Sequence, residues 1–169
     1  RLVGLLCAFA AQLHEGISRN RAVASDPERR WGSTEELLAS AVQTLKAAVN
    51  VHTVQVLFHE PLAESFWTIE NPHLPQDRQA LVRLPASTFP LGLIAAQRGA
   101  VHFPPHPGCG YSDREVAELR ALARRFVGDD LPLECLLGLP LVHQGECVCV
   151  LLLINKHNAS GPFERRTCQ

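Results

Sequence analysis

Methionine is absent from all 169 residues, and the chain opens on Arg1. Both features lead us to expect a piece of a longer polypeptide whose activity is part of its parent's. Charge of one sign is not in excess either, since 16 Lys+Arg stand against 17 Asp+Glu. Nucleic-acid and membrane-surface proteins need a surplus of basic charge, so neither partner is expected. Long apolar runs are missing too. Val148 to Ile154 is long enough for a buried strand but falls far short of the ~18–20 residues that cross a membrane. The six cysteines form no C-x-x-C and no paired Cys/His spacing of the zinc kind. Cys7 lies in an apolar, helix-like stretch, and Cys147 and Cys149 alternate along a strand-like run. They read as reduced thiols, which places the chain in the cytoplasm. Catalytic signatures are absent as well: no G-x-S-x-G, P-loop, H-E-x-x-H or dinucleotide fingerprint occurs. Neither turnover from this segment nor a cofactor is expected. His102 and His106 are the closest pair of histidines, but Pro104-Pro105 between them forbids helical geometry, and with Cys109 they read as ordinary loop residues. No metal is expected.

What is present is a hydrophobic content of 46%, enough for one domain with a real core. Leu2, Leu5, Leu6, Phe9 and Leu13 repeat at helical spacing over Leu2 to Ile17, and the polar stretch Ser18 to Gly32 reads as a flexible linker. Ser33-Thr34-Glu35-Glu36 is a capping box that opens a second amphipathic helix reaching about Val49. The period then changes from 3.6 to 2. Val54, Val56 and Phe58 alternate with Thr53, Gln55 and His59, the pattern of a half-buried strand, and Pro61 ends it.

Further strands are expected over Phe66 to Glu70, Leu81 to Leu84 and Ala100 to Phe103, with a short helix over Leu91 to Gln97 stopped by Gly99. Proline and glycine make Pro104 to Gly110 irregular. A second capping box, Ser112-Asp113-Arg114-Glu115, starts a helix to about Val127. Cys135 to His143 and Glu146 to Asn155 form a hairpin turning at Gln144-Gly145. Its second strand is apolar on both faces, so a central position covered on both sides is expected. The fold class that follows is α+β, an antiparallel sheet with helices on one face and short helices and loops on the other.

The run Cys135-Leu136-Leu137-Gly138-Leu139-Pro140-Leu141-Val142, a turn, then Val150-Leu151-Leu152-Leu153-Ile154-Asn155-Lys156 resembles the closing hairpin of GAF domains. These are small-molecule-binding regulatory modules, and the regulatory domains of cyclic-nucleotide phosphodiesterases are the nearest branch. Leu91 to Gly99 resembles the family's short helix before a brief strand. The branch's motif is Asn-Lys, a gap, Phe, three residues, then Asp-Glu. It is matched at Asn155, Lys156 and Phe163, whereas Thr167-Cys168 stands in place of Asp-Glu.

The resemblance implies a GAF/PAS-like sheet with a ligand pocket beneath the short helices and loops. It divides the chain into an N-terminal helix and flexible linker, 1–32, and a GAF-like domain lacking its final helix, 33–169. It implies a regulatory domain of a larger intracellular signalling protein, with cAMP or cGMP as the type of ligand and a homodimer formed through the helical face. Candidate ligand-binding residues are Phe66, Phe103 and Tyr111, which can stack on or wall off a planar base, and Phe89 and Gly92, which begin the short helix. One alternative is a degenerate GAF scaffold that binds nothing, favoured by Thr167-Cys168. Another is a methionine sulfoxide reductase-like redox enzyme using Cys109 and Cys135.

Overall fold

The computed structural model describes residues 42–43, 45–70, 80–97, 99–103, 110–129, 131–143 and 145–156. The expected helix Leu2 to Ile17, the linker, the Ser33 capping box, His106, Cys109 and Phe163 lie outside the described residues. Helical residues 42–43 and 45–49 come first and stop at Asn50, whose φ of 52° is left-handed and whose N–H bonds the Lys46 carbonyl at 3.1 Å. Strand β1, Val51–Glu60, follows and ends at a 3₁₀ turn, Pro61–Ala63. Proline lacks the N–H a ladder needs, which is why the strand stops there. Then come β2 (Ser65–Glu70), β3 (Ala80–Pro85), helix α1 (Leu91–Ala96), β4 (Val101–Phe103), helix α2 (Asp113–Val127), β5 (Leu136–His143) and β6 (Glu146–Lys156).

The six strands form one sheet in the order β3-β2-β1-β6-β5-β4, and every neighbouring pair is antiparallel. Strand β6 lies in the middle, as its unbroken apolar run requires. Leu151 and Leu153 face one side, Val150, Leu152 and Ile154 the other. Each such fully buried side chain contributes about 1.5–3 kcal/mol relative to exposure. At the hairpin end the register slips, with Leu141 opposite Cys149 and Val142 opposite Cys147, leaving Val148 as the extra residue of a bulge. The slip sends Cys149 into one layer and Cys147 into the other. Gly145, at φ 84°, makes the tight turn.

The first layer packs Val42 and Leu45 of the helical residues on Val54, Val56, Phe58 and Leu151. The second layer packs α1 and α2 on Leu57, Phe66, Leu136 and Leu152. Helix α2 begins as its capping box dictates: Ser112 Oγ accepts the Glu115 N–H at 3.3 Å, and the Glu115 carboxylate accepts the Ser112 N–H at 2.8 Å. Val116, Leu119, Leu122 and Ala123 form its buried stripe. This 15-residue helix lies on the same face as the short α1.

Strand β1 departs from the half-buried pattern. Leu57, in the supposedly polar register, is fully buried, and Gln55 is only 7% exposed. Alternation of polar and apolar residues marks two faces, but a polar side chain can sit under a second layer when it finds a partner there.

Candidate functional site

Three chain ends converge on the α1/α2 face. Phe89 lies in the turn entering α1, Phe103 ends β4, and Tyr111 precedes the cap of α2. Their rings form a closed triangle, with centroids 5.7 Å apart for Phe89–Phe103, 5.6 Å for Phe89–Tyr111 and 5.4 Å for Phe103–Tyr111. Edge-on and tilted contacts at this spacing suit the ring quadrupole, at about 0.5–1.5 kcal/mol per pair. Phe103 is fully buried, while Phe89 and Tyr111 are half-buried.

Phe66 belongs to the same core layer but not to this triangle. It stacks on His59 at 4.7 Å and 26°, and His59 Nδ1–H donates to the Cys147 carbonyl at 3.0 Å. Gly92 has a packing reason: a Cβ there would come within 2.5 Å of the Ala86 carbonyl oxygen. The turn of residues 86–90 thus lies hard against the first turn of α1, and the Leu91 N–H is already bonded to the Thr88 carbonyl at 2.8 Å. Next to it, α1 presses on β5 through Ile94. A Cβ on Gly138 would meet Ile94 Cγ1 at 2.6 Å, so only glycine admits the helix this close.

Asn155 is buried, and its side chain bonds the backbone of residues 132–135, the approach to β5. Lys156 is the last residue of β6, pairing with Val51. Sequence reasoning passed over Gln55 and Thr68. Gln55 Nε2 donates to Thr68 Oγ1 and, at 3.4 Å, to the Ile69 carbonyl, while Thr68 Oγ1 donates to the Val56 carbonyl at 2.6 Å. Thr68 is wholly buried, so this pair gives the aromatic face a satisfied polar element. The signal that could have found it was Leu57, an apolar residue in the polar register of β1.

Acid–base and nucleophilic chemistry finds little here. Burial pushes the Cys147 thiol up to about 11, and burial, then the neighbouring Cys147, pushes Cys149 further in the same direction. Both stay protonated, and so poorly nucleophilic, at neutral pH. Cys135 is buried, 5% exposed. Among the described residues no three His, Cys, Asp or Glu side chains converge as a metal site would require, and no helix is long and apolar enough to cross a membrane. What the face holds is a set of aromatic rings packed on one another. No known family model and no curated protein matches the chain.

Proposed function

We propose that the chain is a regulatory, small-molecule-sensing domain of the GAF type, working in the cytoplasm as part of a larger signalling protein. A cyclic-nucleotide phosphodiesterase is the parent that the hairpin and the Asn155-Lys156 motif favour. The observation that carries the reading is the Phe89–Phe103–Tyr111 triangle. Three connections from different elements end in aromatic rings at one point, on one face of an antiparallel sheet whose other face is mostly aliphatic. A cyclic nucleotide presents a planar base for such rings. Ring centroids 5.4–5.7 Å apart leave no space for a base between them, so binding requires Phe89 and Tyr111 to part. The entry to α1 and the start of α2 would move with them. Ligand-driven movement of two helices against the sheet is a means of signalling to a dimer partner, with coupling typically about 1–3 kcal/mol.

A second reading, a GAF scaffold that binds nothing, is favoured by the same closure. The rings already satisfy one another, the Ala86 carbonyl fills the space at Gly92, and Thr167-Cys168 replaces the family's Asp-Glu. Titration calorimetry with cAMP and cGMP separates the two. Heat and a raised melting temperature at up to millimolar nucleotide are expected for the sensor. Neither heat nor shift with either nucleotide overturns it in favour of the scaffold.

A further inference from the structure

Residues 131–135, between α2 and β5, belong to no helix or strand, yet Cys135 at their end is 5% exposed. Buried backbone groups need partners inside the protein. The Asn155 side chain supplies one to the buried Cys135 and also bonds the exposed Pro132 and Glu134. Its Oδ1 accepts the N–H groups of Glu134 (2.8 Å) and Cys135 (3.3 Å), and its Nδ2 donates to the Pro132 carbonyl (2.7 Å). The Asn155 N–H bonds the Cys135 carbonyl at 3.0 Å. Asn155 is itself 6% exposed and holds a left-handed φ of 51°, a conformation asparagine adopts more readily than most residues.

Helix α2 precedes this segment in the chain, and its Leu119, Leu122 and Ala123 pack in the layer of the aromatic face. Helix α2 is therefore held in two ways: by apolar contacts along its length and by a polar anchor beyond its C-terminal end. The two respond differently to strain. Apolar contacts are non-directional and tolerate sliding, whereas buried hydrogen bonds weaken steeply once misaligned. The sheet is held differently again, because β1 and β6 are joined by a ladder running from Val51↔Lys156 to Phe58↔Cys149.

We infer that α2 and residues 131–135 form a strap across the aromatic face, with Asn155 as its latch. Breaking the Asn155 hydrogen bonds releases the strap as one unit and uncovers the face, while β1 and β6 stay paired. The inference does not require the face to bind a nucleotide. If a nucleotide does bind, the latch governs how readily the face is reached.

Native-state hydrogen exchange on the full chain, without ligand and over a denaturant series, tests it. The amides of Leu119, Leu122, Ala123, Glu134 and Cys135 are expected to share one opening of lower free energy than that of the Val56 and Leu152 amides. Asn155→Gly keeps the left-handed backbone accessible and removes all three side-chain bonds. It is expected to speed exchange of the strap amides about tenfold or more beyond any change in the sheet amides. Glu134 and Cys135 opening independently of α2 in the wild type would overturn the inference, as would equal acceleration of strap and sheet in the variant. Should the glycine variant not fold, the wild-type series decides alone.

Discussion

On one face of the sheet, Val54, Val56, Leu151 and Leu153 pack beneath Val42 and Leu45. The aromatic contact there is Phe58 stacked on Trp67 at 4.4 Å and 27°. On the other face, Phe66, Phe89, Phe103 and Tyr111 sit among two glycines that allow close approach and a buried Gln55–Thr68 pair. The same strands build both faces. Apart from that stacked pair the first is aliphatic, and aliphatic side chains of similar size can exchange places at little cost. The second relies on individual contacts: a helix seated on a glycine, rings meeting at their edges, a buried amide bonded to a hydroxyl. It is on this second face that the proposed ligand would act.

The largest expected effect contrasts two residues on opposite sides. Leu151→Ala, on the aliphatic face, is expected to cost about 2–5 kcal/mol by urea denaturation. Gly138→Ala, on the aromatic face, adds one methyl group against Ile94 and is expected to cost about 1–3 kcal/mol through overpacking. Ile94→Ala, which removes both crowding atoms, Cγ1 and Cδ1, should relieve most of the Gly138→Ala penalty in a double-mutant cycle and none of the Leu151→Ala loss. Equal rescue of both would mean that the faces are not distinct in this way.

A smaller effect comes from the two thiols that the bulge sends to opposite layers. Cys147 has its thiol raised from 9.0 to about 11 by burial. A thiol whose folded pKa lies above its unfolded value supports the folded state below the unfolded pKa, and that support is lost as pH rises toward the folded pKa. Stability is therefore expected to fall between pH 9 and about 11, and Cys147→Ala should flatten part of that fall. In alkylation followed by mass spectrometry, Cys147 should become reactive over the same range. Cys149, on the aliphatic side, should stay unmodified until the chain unfolds.

Much of this architecture can be read directly from residues. The Ser112–Glu115 capping box sets the start of α2, the unbroken apolar run of β6 puts that strand at the centre, and Gln144-Gly145 marks the hairpin. These signals are local, and local chemistry decides them. Leu57 hinted that the polar register of β1 is buried, but the Gln55–Thr68 pairing was not legible, because the two lie 13 residues apart and meet only once β1 and β2 pair. Nor was the bulge at Val148, since an apolar run shows no alternation that an inserted residue could disturb. Of the site residues, Phe89, Phe103 and Tyr111 come together as one cluster, while Phe66 packs on His59 instead. Their common aromatic character was visible in the sequence, but which rings would meet depended on how β4, α1 and α2 pack on the sheet. The work done by Asn155 was hidden for the same reason, because the backbone it holds belongs to a segment some 20 residues earlier.

Two aromatic reporters sit on opposite faces. Tyr111, the chain's single tyrosine, belongs to the triangle, and Trp67 stacks on Phe58 on the aliphatic side. Their ring resonances, followed by NMR as cAMP or cGMP is added to millimolar concentration, test the central claim most directly. A nucleotide site on the aromatic face should shift the Tyr111 ring signals in a saturable way and leave the Trp67 indole in place. A shift at Trp67 without one at Tyr111, or no saturable change at either ring, would contradict it.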